Sequence, residues 1–277
     1  MIGMKIRADE PVARPCLTYF VKEKIPLEEL PPRARIPSRL VLSGTSIPTD
    51  VIVWPKMEMH DLSRGKFIRD GFTQGVLTAF AESRYGRWGL SCGHCMLGPD
   101  QKPYTHADIE MHDHASGNFV SAGPTAQTYF SPGGSLISGA RGYIDCGLFA
   151  LVDEKLRARA ETALPLDTVD LASTAYQRLT GESVMAIGEV IGGKRSGLVI
   201  GIDQFGIDDY SDIVLKVDLP GLIVGDSGML WLTSDGRAAA IHCRGEIVKR
   251  GNGSILVTAM SAQRASEVLG VTLLMEK

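Results

Sequence analysis

The feature that most constrains this chain is the punctuation of its apolar runs: short β-prone stretches are cut off, one after another, by glycine, proline or aspartate. In the first half these runs are Gly75–Phe80, Trp88–Ser91, Gly142–Ile144 and Leu148–Val152. In the second they are Val184–Ile191, Ser196–Ile202, Asp212–Val217, Leu230–Thr233, Ala238–His242 and Ser254–Ala259. Such spacing predicts antiparallel β structure in both halves. One helix is expected at the end, where Ser261 can cap an amphipathic segment running through Leu269.

A chain of 277 residues can bury two ordinary cores, so two β units are expected rather than one. Residues 1–55 hold Pro11, Pro15, Pro26, Pro31, Pro32, Pro37, Pro48 and Pro55 without helical periodicity, and are read as an extended arm with one or two strands such as Leu17–Val21. Residues 56–153 form the first β unit and 181–277 the second, with the terminal helix. The segment between, 154–180, is the expected linker; its start lies in the charged, helix-compatible stretch 153–162.

The balance of 44% hydrophobic and 22% charged residues is that of a globular protein, not a disordered or fibrous one. A net charge of −3 with no clustered basic surface argues against a nucleic-acid partner. No run of about 18 apolar residues predicts a membrane span. Lys5, Arg7, Asp9 and Glu10 leave no room for a signal-peptide core. The cysteines, Cys16, Cys92, Cys95, Cys146 and Cys243, are odd in number and irregularly spaced, so reduced thiols and a cytoplasmic location are expected.

The sharpest chemical signal is Gly225-Asp226-Ser227-Gly228 between apolar runs. A serine attacks a carbonyl only when a base takes its proton, and the resulting oxyanion needs donors aimed at it. Glycine at 225 lets the backbone bend so that the amides of Gly225 and Ser227 point at one spot. Leu90-Ser91-Cys92-Gly93-His94-Cys95 sets a histidine in a tight turn after a strand, and Asp145 begins the mostly apolar stretch through Leu151. Each has an ordinary explanation alone: a β-turn, a structural histidine, a capping aspartate. Together, in the order His94, Asp145, Ser227, they supply general base, orienting carboxylate and nucleophile.

These residues resemble the trypsin-like serine peptidase family. Leu90–Cys95 is similar to the turn around its histidine, Asp145–Leu151 to its aspartate strand and Gly225–Gly228 to its nucleophile turn. Gly192–Gly201 resembles a hairpin of the second barrel, and Ala239–His242 the strand lining the primary specificity pocket. Phe20–Leu27, continuing to Ile47–Val51, is similar to the leader of non-secreted bacterial and plant members. The resemblance implies two antiparallel β-barrels, the first carrying His94 and Asp145 and the second Ser227. It also implies a serine endopeptidase acting on protein or peptide substrates without cofactor or metal.

Two departures qualify the likeness. Cys95 lacks the upstream disulfide partner usual in secreted relatives, and Arg35-Ile36 is followed by Pro37, which argues against activation by cleavage there. Gly221 stands six residues before Ser227, where relatives that cut after Lys or Arg carry an acidic residue. His242 falls where some relatives that cut after glutamate place a histidine. Both are therefore candidate substrate-binding residues.

Three other readings compete. An α/β-hydrolase would need Gly-x-Ser-x-Gly with acid and histidine downstream, yet the glycine after Ser227 comes one residue early and only His242 follows. A zinc site could draw on Cys92, Cys95 and His106, His112 or His114. A non-catalytic binding module on a protease scaffold is the third.

Overall fold

Six strands of the second half close on themselves. In spatial order they are Ser183–Ile187, Leu230–Thr233, Ala238–Glu246, Leu256–Ser261, Tyr210–Val217 and Lys194–Phe205, and the last pairs back onto the first. Every pairing in this ring is antiparallel. Closure removes the exposed edges an open sheet would leave. Inward-facing Val184, Val199, Ile213, Leu215, Trp231, Ala240, Val257 and Ala259 fill the barrel. The computed structural model describes residues 2–7, 10–53, 57–59, 68–69, 74–97, 108–113, 118–131, 143–173, 178–187, 193–205, 210–219, 221–222, 225–246 and 255–276.

The first half builds a second antiparallel sheet, with Ala79–Ser83, Gly86–Ser91, Ile144–Ala150, Asn118–Ser131 and Asp108–Asp113 adjacent in that order. Its far edge is made by the end of the chain: Thr272–Met275 pairs with Ala79–Ser83, and Leu164–Pro165 pairs with Thr272–Met275. Thus the chain leaves the barrel and returns to the first sheet.

The helix that makes this return spans Ala262–Leu269. Ser261 caps it by accepting from the Arg264 amide, Gly270 ends it in the left-handed region at φ 65°, and Ala262, Ala265, Val268 and Leu269 face inward. The helix expected from the sequence is therefore present with the expected cap. A second helix, Glu154–Thr162, starts at Asp153, whose carboxylate accepts from the Leu156 amide at 2.9 Å.

Local β-propensity and actual strands differ where tertiary contacts take over the backbone. Gly75–Phe80 reads as one run, yet the structure has Gln74–Gly75 and Ala79–Ser83 with a break between. Inside that break the Val76 amide donates to the Ser227 carbonyl at 2.7 Å and the Thr78 amide to the Leu90 carbonyl at 2.8 Å. Conversely, the two runs split at Asp145–Gly147 form one strand, Ile144–Ala150. The described residues among the first 53 form four strands, more than their proline content suggests. Ile2–Arg7 pairs with Lys194–Phe205, Glu10–Val21 adds to Ile2–Arg7, and Thr45–Val53 joins Glu10–Val21 in parallel and Arg39–Leu42 antiparallel. Their hydrogen bonds depend on the barrel wall they extend, which no local pattern encodes. Among the described residues no helix is long and apolar enough to cross a membrane.

Candidate active site

His94 opens a three-residue 3-10 turn just beyond the strand Gly86–Ser91. The turn needs glycine before it, because a Cβ on Gly93 would lie 2.3 Å from the Tyr129 carbonyl oxygen and 3.0 Å from the Cys146 nitrogen. Asp145 is the second residue of the neighbouring strand Ile144–Ala150. Ser227 comes from the barrel, in a turn flanked by Gly225 at φ 103° and Gly228 at φ 98°. Gly228 donates its amide to the His242 carbonyl at 2.9 Å, and His242 returns its own amide to the Met229 carbonyl at 2.8 Å. The barrel strand Ala238–Glu246 and the Val76 amide thus clamp the serine turn from two sides.

These three side chains meet in one line. His94 Nε2 is 2.8 Å from Ser227 Oγ, and His94 Nδ1 is 2.6 Å from Asp145 Oδ2. The His94 amide donates to Asp145 Oδ1 at 2.8 Å, so the carboxylate grips both the ring and the backbone of the same residue. With Nδ1 carrying the proton toward Asp145, Nε2 is left to accept from Ser227 Oγ. Ser227 Oγ also has the Cys243 carbonyl at 3.2 Å, a longer alternative for its single hydrogen. Neither the Gly225 nor the Ser227 amide donates to an acceptor among the described residues.

The site is dry: His94 is 1% exposed, Asp145 and Ser227 0%. Burial works against charge on His94, yet the adjacent Asp145 carboxylate outweighs it and holds the imidazole well above its ordinary value. Burial likewise opposes ionisation of Asp145, but the His94 charge, three bonds to His94 and Tyr143 keep it below the usual carboxylate range. Burial raises the neighbouring Cys95 thiol, while Cys92 and His94 outweigh that and bring it down to about 7.

The described residues form a closed antiparallel barrel with a second antiparallel sheet beside it. No family model matches the chain, and no curated protein does. Among solved structures it is similar to a glutamic-acid-specific serine protease that uses a histidine triad in substrate binding, at 17% identity and TM-score 0.48 over 76% of this chain and 98% of that one. Thermobifida fusca Protease A is similar at 16% identity and TM-score 0.49 over 77% and 97% of the two chains. Deg5 is similar at 14% identity and TM-score 0.35 over 75% and 82%.

The remaining sequence candidates are placed as follows. Gly221 is buried beside the bridge residue Leu222, and His242 is wholly buried at the centre of its strand, where its backbone supports the serine turn. Of the histidines considered for zinc, His106 and His114 lie outside the described residues. His112 packs edge-on against Phe119 at 5.4 Å in the first sheet. Cys92, His94 and Asp145 do bring ligand atoms within 4.8 Å of one another, but a cation there would compete with the His94–Asp145 bond. Two neighbours escaped the sequence reading. Cys243 supplies the carbonyl near Ser227, and Tyr143 donates its hydroxyl to Asp145 Oδ2 at 2.8 Å. The signal for Tyr143 was its spacing, since residues two apart on an extended chain face the same side.

Proposed function

We propose that the protein is a serine endopeptidase that cleaves protein or peptide substrates through an acyl-enzyme. The observation that carries this reading is the unbroken line from Ser227 Oγ through His94 to Asp145, at 2.8 and 2.6 Å. In it, neutral His94 takes the Ser227 proton as Oγ bonds to the substrate carbonyl carbon, and Asp145 stabilises the imidazolium that forms. The amides of Gly225 and Ser227 receive the oxyanion. The imidazolium then protonates the leaving amine, and water, deprotonated by His94 in its turn, releases the acid and restores Ser227.

The reading extends to substrate and setting. Gly221 offers no negative charge for a basic side chain, and a His242 ring turned toward the pocket would donate to an acidic one. Five free thiols support a reducing, cytoplasmic setting. The test is labelling with a fluorophosphonate probe: wild type should be modified at Ser227 and Ser227→Ala should not. Modification of another serine, or of the alanine variant, removes the nucleophile assignment. On a peptide library, Glu or Asp before the cleaved bond is expected, with the preference weakened in His242→Ala; a preference for Lys or Arg would exclude this pocket.

A further inference from the structure

Asp145 receives one donor that the proposed reaction does not use. Tyr143 Oη reaches Oδ2 at 2.8 Å, the same oxygen that holds His94 Nδ1. The phenol is 1% exposed, and its ring is covered by the Arg244 guanidinium at 4.6 Å from the ring centre. Arg244 is tied in turn to the Tyr210 carbonyl at 2.7 Å. Tyr143 stands at the mouth of the first sheet, whereas Arg244 and Tyr210 belong to the barrel. The contact therefore crosses between the two halves at the carboxylate.

We propose that Tyr143 is a positioning residue for the Asp145–His94 pair, held from the opposite barrel by Arg244; this rests on the peptidase reading above. A carboxylate oxygen shared between two donors is a weaker acceptor for each. Without the phenol, Oδ2 binds Nδ1–H more strongly, the imidazolium is favoured, and the carboxylate loses a restraint on its rotation. The phenol itself stays a neutral donor, because burial and then the Asp145 charge push its ionisation well up. Among the described residues, the other titratable groups facing the pair are Cys92, Cys95, Cys146 and Cys243, with Arg244 on the far side of the ring.

Tyr143→Phe keeps the ring and its Arg244 contact and deletes only the hydroxyl. Fluorophosphonate labelling should slow by about tenfold, the usual weight of one hydrogen bond to a charged group. Its acid limb should move to higher pH, which a purely structural loss would not do. A second readout is the downfield proton resonance of the His94–Asp145 bond, which should shift in the variant whether or not the serine reacts. A wild type that labels at Ser227, with a variant of the same rate, pH profile and resonance, overturns the proposal. A wild type that does not label, with the resonance still shifted, removes the peptidase reading and leaves the coupling.

A separate observation concerns access. The backbone of Met57–Met59 pairs antiparallel with Arg244–Glu246, in register Met59 to Arg244, Glu58 to Gly245 and Met57 to Glu246. The other side of that strand is already taken by Leu256–Ser261. Met57–Met59 therefore fills an edge beginning one residue from Cys243, whose carbonyl lies 3.2 Å from Ser227 Oγ. Extended peptides bind by adding a strand to such an edge. We infer that Met57–Met59 holds the site closed from within, in keeping with the near-zero exposure of His94 and Ser227. Glu58→Pro removes an amide and disfavours pairing, so it should raise the labelling rate of Ser227 at least several-fold with circular dichroism unchanged. Equal rates in both proteins overturn this inference and leave the peptidase reading. Labelling of neither removes that reading and the inference with it.

Discussion

Replacing Asp145 with asparagine tests the site most directly, because it changes one charge and almost no volume. The carboxylate accepts three bonds, from the His94 amide at 2.8 Å, His94 Nδ1 at 2.6 Å and Tyr143 Oη at 2.8 Å. An asparagine has one oxygen to offer and two hydrogens that must point somewhere. If its oxygen faces the His94 amide, its nitrogen faces Nδ1, which must then accept, so Nε2 carries the proton and cannot take one from Ser227. If it is flipped, two donors oppose each other at the backbone, costing about 1–3 kcal/mol of stability. The wrong tautomer alone should slow fluorophosphonate labelling by roughly four powers of ten, or about 5 kcal/mol in barrier height. With the carboxylate charge gone, burial dominates at His94 and what activity remains should have its acid limb at lower pH, opposite in sign to the shift expected for Tyr143→Phe. Labelling rates across about pH 5 to 9, with thermal unfolding to verify that the variant is folded, measure both effects. A folded variant that labels within about tenfold of wild type would refute the argument.

Two further outcomes follow from the same geometry. In the proposed reaction His94 must be neutral to act, and Asp145 raises it, so wild-type labelling should climb with pH through a midpoint above the ordinary imidazole value of about 6.5; a midpoint below it contradicts the electrostatic account. Gly228→Ala places a side chain at φ 98° with its Cβ 2.4 Å from the Val76 carbonyl oxygen, so urea unfolding should reveal a loss of at least about 1–3 kcal/mol and labelling should fall, while wild-type values for both would disprove the close approach.

How much of this was legible depended on distance along the chain. His94 and Ser227 announce themselves through short turns whose glycines are needed locally, and the terminal helix through its Ser261 cap and amphipathic pattern. Asp145 is less distinctive; only its position between the other two in sequence gave it a role, and the fold brings it to His94 across 51 residues. Tyr143 was visible in the sequence but carried no motif. Its relation to the carboxylate depends on burial, and its relation to Arg244 on two halves meeting, neither of which has a local signature. The same is true of the arm: Glu10–Val21 contains Pro11 and Pro15, and its strand exists because Ile2–Arg7 and Thr45–Val53 supply partners on both sides.

The dryness of the site follows from that architecture. A carboxylate at 0% exposure would be driven to take up a proton unless its donors were fixed in place, since buried charge is costly without hydrogen-bond compensation. Here His94 belongs to the first sheet, Ser227 to the barrel, and Tyr143 is pinned from the barrel through Arg244. The final strand, Thr272–Met275, ties the chain that has just left the barrel back to the first sheet, beside Ala79–Ser83. All three donors to Asp145 come from the first half, and the barrel adds the Arg244 contact that holds the Tyr143 ring in place. A substitution that displaces Arg244 should therefore loosen Tyr143 and, through it, Asp145, changing the pH dependence of Ser227 labelling without touching His94, Asp145 or Ser227.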